Sequence, residues 1–401
     1  MNVSGVLLCT WHFLILTLDF PNKPLLVFKS TEHVTPRGHV TDTKCRPNII
    51  AAFKGDWTKD NITLWPCIQL VGEQTSEEKS QEDREEQAVS YLHHLLLARP
   101  DLHVVHGLLT SKHTITFLLG VGGYGAGSFD VSWSSTGLYR LMHAFVYRIY
   151  EPGDHADPSY VNIVPNWEKN LVTYTVRITN TEDGAKTTIE CPNFEPIFAS
   201  NPFGTRTHVF SNPNSEVKIN NKVLTVLKDQ VCYCETRFHE RDILSHIHTP
   251  EEEPVPGVVQ VVYDELITIP PFVTDSESKA KYRIGLVQSG RPFSSITTLR
   301  QMLEIAFDIL EGTLICIDPV LYAHMFSVLR YLRVKRQVLH RDISRGNVLH
   351  IEDETLPIPP MSYAGPVSAP DAEPSGADEA KEVPLCFIKY LLGERYVRNM
   401  L

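Results

Sequence analysis

An Asp followed five residues later by an Asn, inside a loop bounded by apolar pairs, is an arrangement that can manage a phosphate and its counter-ion. Residues 338–349 read VLHRDISRGNVL. Val338 and Leu339 lead in, Val348 and Leu349 lead out, and His340, Arg341, Asp342 and Asn347 stand between them. In a phosphoryl-transfer loop the Asp orients the attacking hydroxyl and accepts its proton, while the Asn, returning on the same turn, holds Mg2+ against the phosphates. Asp342 and Asn347 suit those two roles. His340 and Arg341 would be the scaffold, the His packing under the loop and the Arg anchoring neighbouring backbone. A bare His-Arg-Asp also arises in surface turns; the Asn at this distance and the flanking apolar pairs favour the catalytic reading.

Such a loop needs a cation for the nucleotide upstream. Lys222 to Gln230, KVLTVLKDQ, alternates as a strand around Lys228, and a Lys there would bridge the α and β phosphates of ATP. Its charge needs a carboxylate. Glu240 supplies one, opening a helical pattern with Ile243, Leu244 and Ile247 at core spacing. Before the Lys strand, PNFEPIFASNPFGTRTHVF puts Gly204, Thr207 and Val209 where a loop and strand would cover ATP, with one glycine in place of the usual three. After the helix, Gly257 to Tyr263 and Tyr282 to Val287 read as strands and QSGRP as a hinge. Thr297 to Glu311 and Pro319 to Val334 read as amphipathic helices, the second delivering the chain to the Asp342 loop.

With these residues in place the chain resembles the fungal-type protein kinases, a branch of the protein kinase-like fold. The likeness runs from about Arg46 to the C-terminus and is most specific at VLKDQ, ERDILSHIH, PGVVQV and HRDISRGNVLH. It implies an N-terminal extension and a bilobal kinase that binds ATP and Mg2+ and phosphorylates Ser or Thr hydroxyls of a protein substrate. Two departures stand out. Ser344 occupies the place of a Lys that steadies the transferring phosphate in typical Ser/Thr kinases. No apolar strand closing in Asp-Phe, the site of the principal Mg2+ ligand, follows Asn347 in this sequence.

The elements before the kinase-like region carry decoys. Gly120 to Gly127 contains a literal GxGxxG after an apolar strand, but the acidic residue and immediate helix of a dinucleotide site are not in place, so it reads as a turn. Asn48 to Phe53 and Trp65 to Leu70 read as two strands, with Glu73 closing the second, in the pattern of a nuclease-type metal core. Asn48 stands where that core has Asp and Thr75 where it has Lys, so a structural role is expected. The acidic run after Ser76 opens a helix in which Ala88, Tyr91, Leu92, Leu95 and Leu96 share a face; His93 and His94 read as surface or edge residues. Gly137 to Tyr150 reads as another helix.

Composition bounds the rest. The 401 residues carry 48 acidic and 37 basic side chains, a net charge of −11, with no basic block of the kind nucleic acid binding requires. Eight cysteines without a Cys-x-x-Cys pair argue against a zinc clip or disulfide framework and suggest an intracellular setting, cytoplasm or nucleus. Cys232 and Cys234 read as small buried hydrophobes. Val6 to Leu18 is apolar but too short to span a bilayer and lacks a basic start, so no membrane partner is expected.

The expected class is α+β: an N-terminal α/β extension, a kinase-like small lobe and an incomplete helical large lobe. In order these are a poorly ordered leader and linker at 1–45, the extension at 46–150, linker and strands at 151–185, and the kinase-like domain at 186–350. A disordered Pro/Ala/acidic insert at 351–383 and a truncated continuation at 384–401 follow. Three functions compete: an ATP-dependent protein kinase whose sequence is incomplete, a non-catalytic pseudokinase or binding module, and a small-molecule phosphotransferase, which Ser344 favours and Arg341 opposes.

Overall fold

Period-two runs rich in Val, Ile, Phe, Tyr and Thr recur between residues 26 and 286, and most become strands because such side chains pack well on a pleated surface. The structure, a computed structural model, describes residues 23–31, 35–41, 43–58, 62–74, 80–182, 185–235, 239–248, 259–269, 279–287, 291–292 and 349–350. They divide into two units, Met1–Ser289 and Gly290–Leu401. The class is mixed α and β, with strands predominant and three α-helices among the described residues.

The first unit contains two large sheets. In one, β1 (Leu26–Ser30), β2 (Ile49–Phe53), β3 (Ile68–Gln74), β4 (Val104–Thr110), β5 (Thr114–Val121) and β6 (Gly125–Ser132) lie side by side in chain order. Every pairing is antiparallel except β3 with β4, which is parallel because helix α1 (Gln81–Ala98) makes the crossover. β4 is buried along its whole length, as a strand covered on both faces must be. Ala88, Tyr91, Leu92, Leu95 and Leu96 of α1 pack on one face; Met142, Phe145, Val146 and Ile149 of α2 (Leu138–Tyr150) pack on the other.

The second sheet contains β7 (Tyr160–Asn166), β8 (Leu171–Glu182), β9 (Ala185–Ser200) and β10 (Thr207–Ser211). A two-stranded ribbon follows, β11 (Lys218–Ile219) with β12 (Lys222–Val223), and then β13 (Val226–Tyr233), β14 (Val261–Thr268) and β15 (Lys279–Leu286). Their spatial order is β14-β15-β13-β10-β9-β8-β7, antiparallel throughout. Helix α3 (Glu240–Ile247) lies between β13 and β14 in the chain. In the second unit the described residues are one short antiparallel pair, Arg291–Pro292 with Leu349–His350.

Several local expectations are corrected. Leu26–Ser30, within the segment read as leader and linker, is an edge strand, because Leu26 and Phe28 alternate into the core. Trp65–Cys67 is a 3-10 turn and the strand begins at Ile68, since Pro66 removes a donor the ladder would need. Tyr160–Asn166, in the 151–185 segment read as linker and strands, is a strand at the sheet edge, where Pro165 is tolerated. His93 and His94 are half-buried, in ring contact with each other and, respectively, with Phe203 and with His39 and Trp65. Cys234 is exposed and Cys232 half-buried, so the pair is not a buried one.

Candidate functional site

Strand alternation divides β13 between two environments. Val226 apart, its even positions, Lys228, Gln230 and Cys232, are half-exposed, while Leu227, Asp229 and Val231 are buried on the opposite side. Lys228 and Asp229, adjacent in the chain, therefore belong to different structures.

On the Lys228 side a single cross-strand row runs Asp264, Ile284, Lys228, Val209, Phe198 over β14, β15, β13, β10 and β9. Helix α3 is tied to this row twice. Glu240 Oε2 accepts from Lys228 Nζ, and Arg241 Nε lies 3.1 Å from Asp264 Oδ2. His239, which precedes the helix, stacks on Tyr282 of β15 with ring centroids 4.1 Å apart. Glu240 and Asp242 occupy the first helical turn, where carboxylates meet the positive end of the dipole. Leu244 and Ile247 are buried as the pattern predicts; Ile243 is turned outward.

The Lys228 and Glu240 side chains are 24% and 37% exposed, so the ammonium is oriented by the carboxylate yet remains accessible to an anionic ligand. Half-buried Val209 flanks it on the strand beside. Such a surface can grip phosphate oxygens with the Lys and seat a flat apolar group against the Val. Gly204 lies in the turn between β9 and β10, its N–H donating to the Asn201 carbonyl at 2.9 Å. Of the predicted site residues, Lys228, Glu240 and Val209 are thus brought together and Gly204 lies on the adjoining loop. His340, Arg341, Asp342 and Asn347 lie outside the described residues.

The opposite face of β13 holds a buried charge network that motif reading had not found. Asp229 accepts from Arg283 Nε and Nη2 at 2.7 Å each, from Lys281 Nζ at 3.1 Å and from Tyr160 Oη at 2.7 Å. Asp157 accepts from Lys281 as well, and from Ser159 Oγ at 2.6 Å. Burial pushes both carboxyls up, but Arg283 and Lys281 outweigh it and hold them well below the usual carboxylate range. The Arg283 guanidinium, penalised by burial, is driven further up by Asp229. Lys281 and Arg283 share one strand face by period two, which was the available signal; pairing with Asp157, more than a hundred residues away, was not readable from spacing.

The glycines at the end of β5 and in the turn that follows it have a packing or backbone explanation. A Cβ on Gly120 would come within 3.2 Å of Leu92 Cβ on α1, and one on Gly122 would fall on the Arg206 guanidinium. Gly123 has φ +84, a turn conformation that side chains resist. At the nuclease-like corner, Glu73 accepts from three neutral donors: Asn48 Nδ2 at 2.6 Å, Tyr91 Oη at 2.9 Å and Gln87 Nε2 at 3.3 Å. That fits a structural use of the carboxylate.

Among the described residues no helix is long and apolar enough to cross a membrane. No protein-family model matches the chain, and no curated protein is significantly similar to it.

Proposed function

We propose that the chain is an ATP-dependent protein kinase of the fungal type, transferring the γ-phosphoryl group to a Ser or Thr hydroxyl. The observation that carries this reading is the Lys228–Glu240 ion pair, formed between the third strand of an antiparallel set and the helix that follows it. The spatial order β9-β10-β13-β15-β14, with α3 inserted between β13 and β14, is the arrangement expected of a kinase small lobe and supports the same reading.

In this reading Lys228 holds the α and β phosphates of ATP, Glu240 fixes the ammonium, Val209 meets the base, and the turn containing Gly204 covers the phosphates. Asp342 takes the hydroxyl proton and Asn347 binds Mg2+, with His340 and Arg341 shaping their loop. Little covalent chemistry falls to the protein; positioning and charge stabilisation do the catalysis.

The test is titration of the full chain with ATP and Mg2+, followed by transfer to a generic Ser/Thr substrate protein. Lys228→Met is expected to weaken ATP binding and abolish transfer. Asp342→Asn should bind ATP as before and transfer nothing. Full activity in both variants would sink the assignment, and ATP binding without any transfer by the unaltered chain would favour a nucleotide-binding module.

A further inference from the structure

The loop joining β9 to β10, residues 201–206, is fastened to the six-stranded sheet by bonds that the turn alone does not need. Gly204 and Arg206 both donate backbone N–H to the Asn201 carbonyl, each at 2.9 Å, which closes the loop on itself. The Gly123 N–H, from the turn between β5 and β6, donates to the Pro202 carbonyl at 2.7 Å. The Val231 N–H donates to the Thr205 carbonyl at 2.7 Å and ties the loop to β13, three residues beyond Lys228.

Arg206 completes the latch. It sits at φ +38 although it is not a glycine, and it is only 4% exposed. Its guanidinium crosses beneath Gly122 and donates from Nη2 to the carbonyls of Arg99, at 2.9 Å, and Leu102. It makes no ion pair with a carboxylate among the described residues, and its Nε has no hydrogen-bond partner. An arginine held in the left-handed region carries backbone strain, and burying its cation with carbonyls as hydrogen-bond partners, only more distant carboxylates (Asp101, Asp157 and Asp229) offsetting the burial, adds to that cost. Both costs fall on one residue, in the loop that the kinase reading places over the phosphates. From the other side, Lys279 donates to the Gly123 carbonyl and stands over the rings of Tyr124 and Tyr233 at 4.6 and 4.4 Å.

We propose that Arg206, with the Gly122–Gly123 turn that receives it, is a positioning residue for the nucleotide phosphates, so that the six-stranded sheet is a working part of the ATP site. The inference rests on the kinase reading above. The latch fixes the loop beside β13 before ligand arrives, which removes an ordering cost that a free glycine-rich loop would meet on binding. It acts on the phosphate end alone, since Val209 lies inside β10 and is held by strand pairing on both sides.

The discriminating measurement is calorimetric titration of the full chain with ATP plus Mg2+, and separately with adenosine, for the unaltered protein, Lys228→Met, Arg206→Lys and Lys279→Met. Lys279→Met loosens the receiving turn without leaving a buried charge, and it decides the matter if the Arg206 variant fails to fold. The latch predicts that Arg206→Lys and Lys279→Met weaken ATP binding about tenfold while leaving adenosine affinity unchanged. A general disturbance of the fold would lower both together, and that result overturns the proposal. If Lys228→Met weakens ATP binding but the latch variants bind it normally, the latch is overturned and the kinase reading stands. Failure of the unaltered chain to bind ATP overturns both.

Discussion

Removing the Asp229 carboxylate would leave two buried cations, Arg283 at 1% exposure and Lys281 at 4%, to share the one remaining carboxylate, Asp157, and would strip Arg283 of its bidentate partner. Asp229→Asn is therefore expected to destabilise the chain by ~3–5 kcal/mol, the range for a buried charge deprived of its partner. Urea denaturation measures this, and a second substitution, Arg283→Met, should recover part of the loss. A loss below ~1 kcal/mol would mean that water or a neighbouring group replaces the carboxylate. The next residue back behaves oppositely. Lys228→Met breaks a half-exposed pair, so its effect on stability should stay within about 1 kcal/mol while its effect on ATP binding is large. The Lys228–Glu240 pair was legible in the sequence because it joins a strand to the helix following it, a local relation with a known chemical purpose. The Asp229 network was not, because its members come from β7, β13, β15 and the segment before β7, and nothing in their spacing points from one to another.

Helix α1 was legible from its apolar face and its start from the acidic run after Ser76; the structure adds the cap, Ser80, whose Oγ accepts from the Asp83 N–H at 3.1 Å. What the periodicity could not convey is how closely the helix approaches the sheet. Gly107 and Gly120 form its seat, and a Cβ on Gly120 would lie 3.1 Å from Val105 Cγ2 as well as against Leu92 Cβ, an atom that moves only with the helix backbone. Gly120→Ala should therefore cost about 1–3 kcal/mol through overpacking, although alanine is the better strand and helix former of the two. A thermal melt of that variant beside Gly127→Ala provides the check, since nothing lies within 4 Å of the Gly127 position. Equal melting temperatures would show that the helix can shift outward freely. The edge strand β1 was missed, and β7 was not told apart from linker, for the converse reason: a strand paired on one side needs fewer apolar positions, and its Pro and charged residues look like loop.

Acid should unfold the molecule in two stages whose order follows from what is buried. Burial, with nearby Lys281 and Arg206, lowers His103 to about 3; burial and Arg206 do the same for His208, and burial and His155 for His106. Burial and the neighbouring histidines lower His94 to about 4. In the unfolded chain each binds a proton near pH 6.5, so between that value and the folded one the unfolded state holds more protons and stability falls as pH falls. Each such histidine contributes a slope of ~1.4 kcal/mol per pH unit. Asp157 and Asp229 have depressed folded values, so their contribution is complete above the unfolded carboxylate pKa near ~4 and is lost only as pH drops below it. The melting temperature is thus expected to be flat between about pH 7 and pH 8, to decline from about pH 6.5 before Asp157 or Asp229 protonates, and to steepen below about pH 4. His208→Gln should reduce the slope of the first stage, because the amide can keep the bond that Nε2 makes to the Leu97 carbonyl, at 3.2 Å, and has no proton to gain. A melting temperature unchanged from pH 7.5 down to 4.5 would mean that the buried histidines titrate normally and that the interface between the two sheets is open to water, in which case the Arg206 latch would be solvated too.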